Sequence, residues 1–156
     1  MGIWQRTARL LPRLLLAGMA LIFLAGVAEA RMVCAAAELV TMHAGPDREQ
    51  EVVWELGLGY PLQVVEEQGA WLKVIDYQGD SGWVEKEMVL SDKTYLVVTK
   101  PIVNVRSGPG NNYRIVRQAH EGVVFLLLES KDEWAKVLHE EEKVIGWILR
   151  SLLWGW

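Results

Sequence analysis

A single cysteine, Cys34, stands among the 156 residues, so no internal disulfide can form and the fold has to rest on its core. Clusters of Lys and Arg are missing as well. Three of the 16 basic residues and one of the 20 acidic ones fall in the first thirty positions, which leaves 13 against 19 and a net charge of −6 for the remainder. Neutralising phosphates takes grouped cations, so nucleic acid is not an expected partner, and the same acidity argues against adhesion to anionic lipid. No window carries a convincing long amphipathic helix; 47–56 comes nearest. The three histidines, His43, His120 and His139, are scattered, and no nucleophile, base and orienter are suggested by spacing. His139 precedes Glu140, Glu141 and Glu142, but neighbouring turn residues do not converge on one ion, and a solvated acidic loop is the expectation. Cys34 has no histidine partner that spacing recommends. No catalytic residue, metal or cofactor is expected.

The N-terminus is of another character. Arg6, Arg9 and Arg13 precede an unbroken apolar run, Leu14 to Val27, and Ala28-Glu29-Ala30 follows. A positive start, a short apolar stretch and a small-x-small site describe a secretory signal over residues 1–30, cleaved after Ala30. The alternative is an uncleaved anchor, which asks for about 20 apolar residues. The run is shorter, so export to the periplasm or cell surface is expected, with no membrane span after processing. Lipidation of Cys34 is the lesser reading, because Arg31 and Val33 depart from the small residues such a site wants. A packed or free thiol is expected.

The rest of the chain repeats itself. Slid back by 63 positions, Ser107-Gly108-Pro109-Gly110 falls on Ala44-Gly45-Pro46-Asp47, Gly122 on Gly59, Trp134 on Trp71 and Val137 on Val74. After one inserted residue, Ile145-Gly146-Trp147 falls on Ser81-Gly82-Trp83. Five matched landmarks in order make two copies of one unit. Each copy is a series of short strands punctuated by turn residues. In "EWAKVLH", Trp134, Lys136 and Leu138 share one face while Ala135 and Val137 share the other. The strand "VNVR" stops at Ser-Gly-Pro-Gly because the glycines open backbone angles closed to other residues, and Pro109 gives up its N–H. A long outward loop is expected to follow. A unit of about sixty residues without staples must close its strands to bury enough surface.

The pattern "VNVRSGPG…Y…G…F…W…V…GW" resembles the bacterial SH3 domain family. The second copy carries it nearly whole, in Asn104, Arg106, Ser107, Gly108, Pro109, Tyr113, Gly122, Trp134, Gly146 and Trp147. The first has Thr41 and His43 in place of Asn104 and Arg106, and keeps Gly45, Pro46, Gly59, Trp71, Gly82 and Trp83. The resemblance implies an all-β fold of two small SH3-like β-barrels in tandem behind the signal-peptide helix: a divergent barrel over 31–90 and a second over 94–156 with an aromatic tail. It further implies a non-catalytic module that recognises cell-wall peptide stems or peptide segments of envelope proteins. A structural or assembly subunit of an envelope complex is the alternative.

Two readings stay open for each prominent side chain. Trp71, Trp83, Trp134 and Trp147 are either ligand-stacking surfaces or core and partly buried packing, with packing favoured; they are taken as structural together with Gly45, Pro46, Gly82, Gly108, Pro109, Gly122 and Gly146. Arg106 either holds a ligand carboxylate or ties loop carbonyls together with its five donors. Asn104 and Tyr113 are similarly divided, beside a groove of the kind that binds extended peptides in SH3-like barrels. Trp54 is expected in the long loop of the first copy, where exposure and burial are equally open. Trp154 and Trp156 either tuck against the barrel or offer an apolar patch to a partner.

Overall fold

The computed structural model describes residues 31–156; the leader expected over 1–30, with cleavage after Ala30, lies outside them. The fold is all-β. Strands β1 (Arg31–Ala35), β2 (Val40–His43), β3 (Val52–Leu56), β4 (Pro61–Gln68), β5 (Trp71–Ile75), β6 (Ser81–Glu85) and β7 (Val89–Leu90) form one antiparallel sheet in the order β3-β2-β6-β5-β4-β1-β7. Strands β8 (Tyr95–Val98), β9 (Ile102–Arg106), β10 (Ile115–His120), β11 (Val124–Lys131), β12 (Trp134–His139), β13 (Val144–Leu149) and β14 (Leu153–Trp154) form the second, in the same order shifted by seven, β10-β9-β13-β12-β11-β8-β14. A single 3-10 turn precedes the last strand of each, at Lys86–Met88 and Arg150–Leu152.

Each sheet wraps round its own core. Val33 and Ala35 of β1 lie in one buried cluster with Val40 and Met42 of β2, although three strands separate them in sheet order. In the second barrel, Leu96, Val103, Val105, Phe125, Val137 and Ile148 do the same. Closure runs through one bridge per barrel, His43 opposite Trp83 and Arg106 opposite Trp147. It depends on a glycine beside each of those tryptophans. A Cβ on Gly82 would lie 2.5 Å from Met42 Cγ and 2.9 Å from the His43 carbonyl; one on Gly146 would lie 2.5 Å from Val105 Cγ1 and 2.8 Å from the Arg106 carbonyl. The "GW" pair is thus the point where one strand slides against another.

The long strands bend at bulges. Val64 pairs with Val74 and Glu66 with Lys73, leaving Val65 extra; Leu127 pairs with Val137 and Glu129 with Lys136, leaving Leu128 extra. The extra residue is turned outward, and both are nearly half exposed.

The expected loop placement of Trp54 is corrected, since it stands in strand β3. Apart from Phe125, both buried clusters are aliphatic, and tryptophan is absent from them. Trp71, Trp134 and Trp147 are half-buried and only Trp83 is buried. Strand alternation explains it: Leu72, Val74, Ala135 and Val137 fill the interior, which places the intervening indoles and lysines outside. There Lys73 lies 5.9 Å from the Trp83 ring and Lys136 lies 6.0 Å from that of Trp147. The loop after Pro109 runs to Arg114 and folds back on itself, the Ser107 N–H donating to the Arg114 carbonyl at 2.9 Å, before β10 begins at Ile115; the matching loop of the first barrel ends at Glu51, ahead of β3. Trp54 accordingly belongs to strand β3, opposite Met42.

The barrels meet at Tyr95. Its ring packs on Gly59, where a Cβ would come within 2.5 Å, and Gly59 holds the positive φ of +76° that its turn needs. The Tyr95 hydroxyl donates to Glu140 Oε2 at 2.7 Å. Gly155 of the tail lies against the Tyr95 carbonyl and Pro61, so both barrels and the C-terminus share this contact.

Candidate binding groove

Arg106 ends β9, and its Nη1 donates to the carbonyls of Asn111 (3.0 Å) and Tyr113 (2.9 Å). The loop is thereby drawn back over the strand end, and the Tyr113 ring settles on Gly108, where a side chain would collide with it. Asn104 Oδ1 accepts from Gln118 Nε2 at 3.1 Å, fixing the amide on the outer face of β9. Beside them runs a groove of about 180 Å³ lined by Ile102, Asn104, Arg106, Asn111, Trp134 and Leu149, with Val103 and Leu152 beneath. Ile102 is 56% exposed, a large aliphatic side chain left facing water at the groove's edge. The remaining N–H groups of Arg106 make no hydrogen bond among the described residues. An apolar trough with a half-exposed guanidinium at one end suits an extended chain that carries an apolar side chain and a carboxylate.

The first barrel reproduces the anchor with different atoms. His43 takes the place of Arg106 and Gln50 that of Tyr113. His43 Nδ1 lies 3.0 Å from the Gln50 carbonyl, which can only accept, so that nitrogen carries the proton. In the neutral ring, Nε2 then accepts from the Thr41 hydroxyl at 3.0 Å. The imidazole is buried and stands edge-on to Trp71, with centroids 5.4 Å apart at 81°.

Asn104, Arg106 and Trp134 therefore come together. Tyr113 contributes through its carbonyl, its ring lying on the loop. Trp54 is 49% exposed on β3, away from the groove. Trp154 sits in β14 opposite Val97. Trp156 donates its indole N–H to the Leu153 carbonyl at 3.3 Å, beneath the Arg150 guanidinium 4.2 Å above the ring. Gly45 and Pro46 occupy the loop that Gln50 folds over, and Pro109 the matching loop of the second barrel. Sequence reasoning missed Ile102, Asn111, Leu149 and Leu152. A signal existed: laying the two copies over each other pairs Asn111 with Arg48 and Leu149 with Glu85, positions where charge replaces neutral side chains.

A second cavity of about 410 Å³ lies between the barrels, lined by Leu58, Tyr95, Val124 and Leu126 with Glu38 and Glu140 among its acids. Burial, then the bond to Glu140, raises the Tyr95 phenol above its ordinary range. Tyr60, half-buried and bonded to Asp76 Oδ2 at 3.0 Å, is raised in the same direction. No group of three or more potential metal ligands converges among the described residues.

Comparison with known proteins agrees on the family. Residues 36–90 and again 99–155 match the bacterial SH3 domain. A Bacillus subtilis protein provisionally named an N-acetylmuramoyl-L-alanine amidase is 21% identical over 123 residues, which are 72% of this chain and 23% of that one. The chain thus spans under a quarter of the length of that relative. Among solved structures, NlpC2 from Trichomonas vaginalis is 16% identical over 81% of this chain and 48% of its own, with a TM-score of 0.36. An NlpC/P60 family protein from Bacillus cereus is 14% identical over 80% and 56%, with a TM-score of 0.37. With two matched segments that take in most of its length, the chain belongs to the bacterial SH3 domain family, as a tandem pair.

Proposed function

We propose that this chain is an exported, non-catalytic binding module that holds peptide stems of the cell wall in the groove of its second barrel. The observation that carries the reading is the groove itself: an exposed Ile102, an indole wall at Trp134 and the guanidinium of Arg106 within one trough. Stem peptides offer the matching chemistry, small apolar side chains in an extended backbone with free carboxylates. A charge-assisted bond to Arg106 gives such a ligand direction, since hydrogen bonds to ionised partners are about twice as strong as neutral ones. The provisional amidase name of the Bacillus subtilis relative favours the wall over an envelope protein as the target. Its catalytic activity is not carried over, because the matched stretch is 23% of that protein.

Retention on purified peptidoglycan sacculi tests this. Intact protein is expected to co-sediment, and Ile102→Ser to lose at least several-fold in retention while keeping its β-sheet circular dichroism, since that side chain is mostly outside the core. If the intact protein stays in solution, the wall is not its ligand and peptides of envelope proteins become the targets to screen.

A further inference from the structure

The two barrels have the same strand order, but their grooves differ: Thr41 and His43 stand where the second has Asn104 and Arg106, and two further positions exchange neutral side chains for charged ones. In the second barrel the loop side is Asn111 and the facing wall is Leu149. Their counterparts in the first are Arg48 and Glu85. Those two meet: Arg48 Nε donates to Glu85 Oε1 at 2.8 Å and Nη2 to Glu85 Oε2 at 2.5 Å. Nη2 also reaches Glu87 Oε1 at 3.3 Å, at the position of Ser151. The fork of the guanidinium thus ties the loop to the opposite wall, across the path that a ligand follows in the second barrel. Trp71, the counterpart of Trp134, is engaged from the side by the His43 ring, whereas Trp134 lines open space. The exposed aliphatic at the groove edge is nonetheless present in both, Leu39 and Ile102 each at 56%.

We infer that the first barrel is a latched copy of the binding module: the Arg48–Glu85 strap, with His43 against Trp71, closes its groove, so that the tandem holds one ligand at the second barrel. For the identity of the ligand, a carboxylate-bearing peptide, this rests on the function proposed above; for the geometry it does not. Charge works in the same direction as shape. A ligand carboxylate that finds the remaining donors of Arg106 in the second barrel meets Glu85 and Glu87 in the first, with Arg48 already paired to both. An exposed ion pair of this kind shifts an equilibrium by no more than about five-fold. The strap is therefore removable, and replacing only Arg48 leaves an unpaired carboxylate in the groove. Opening it needs both changes, Arg48→Asn with Glu85→Leu, which copy the second barrel.

Two measurements decide it. Calorimetric titration with soluble muropeptides is expected to give one site per chain for the intact protein and two for H43R/R48N/E85L, which also supplies the guanidinium that Arg106 provides in the second barrel. Two sites in the intact protein, or one in a folded H43R/R48N/E85L, overturns the inference. The second measurement needs no natural ligand. Dilute isopropanol is added as an apolar probe while the indole N–H resonances of Trp71 and Trp134, assigned with Trp71→Phe and Trp134→Phe, are followed by NMR. The Trp134 signal is expected to move in the intact protein and the Trp71 signal only in R48N/E85L; equal movement of both in the intact protein overturns the latch. Muropeptides that bind neither form refute the proposed ligand, and the isopropanol response then decides for or against the latch by itself.

Discussion

At the scale of single residues, the glycines of the two "GW" pairs carry more of the fold than the tryptophans beside them. Gly146 has Val105 and the Arg106 carbonyl where a side chain would begin. Gly146→Ala is expected to cost about 1–3 kcal/mol, the usual range for overpacking a filled site. Gly57, with open space around it, is the control, and Gly57→Ala should stay within about 0.5 kcal/mol. Denaturant midpoints at equal m-value read both. Two phenols give a pH signature. Tyr60 and Tyr95 are raised above the ordinary tyrosine value of about 10 by burial first and by their carboxylate partners second. A group raised in the folded state contributes fully below the unfolded pKa and loses that contribution as pH climbs towards the folded one. Thermal midpoints should therefore hold to about pH 10 and fall above it, and Tyr60→Phe together with Tyr95→Phe should flatten the fall. An equally steep fall in the double variant would remove the phenols as its cause.

At the scale of strands, alternation and bulges explain which apolar residues face water. Val65 and Leu128 are exposed because each is the extra residue of a bulge. Val65→Lys and Leu128→Lys should each change stability by no more than about 0.5 kcal/mol. Trp134, half-buried on the outer face of β12, should cost roughly half of the ~3–5 kcal/mol of a fully buried indole when cut to alanine. Chemical denaturation of Trp134→Ala checks this, and an unfolded variant would place the indole back in the core. Much of this level is legible in the sequence. The split of Trp134, Lys136 and Leu138 from Ala135 and Val137 follows from the period of two, as do the strand ends at Gly-Pro turns. What alternation leaves open is which of the two faces is interior: the barrels close on Val, Leu, Ile, Met, Ala and Phe125, with Trp71, Trp134 and Trp147 only half-buried. Trp54 departs from its expected loop for a related reason. The Gly45-Pro46 turn ahead of it reads as the start of a long loop, yet pairing with Met42 across the sheet makes a strand of it.

At the scale of the molecule, the two barrels are joined through Tyr95 of the second, which packs on Gly59 of the first and is held by a hydrogen bond to Glu140 of its own barrel. Tyr95→Ala removes both contacts, and differential scanning calorimetry is expected to resolve two unfolding transitions in place of one. A single sharp transition in the variant would show that the barrels cooperate by another route. The linker, Ser91 to Thr94, is too short to let them separate far, so the change is one of coupling and not of distance.

Local chemistry decided that the chain makes two related β-units with turns at fixed places, because strand period and Gly-Pro breaks act between near neighbours and the 63-residue repeat writes the same local pattern twice. Three-dimensional pairing decided the rest. Arg48 meets Glu85 across 37 residues of chain, and Ile102, Trp134 and Leu149 reach one trough from three strands. An open groove and a strapped one are differences between side chains that only the closed sheet brings face to face.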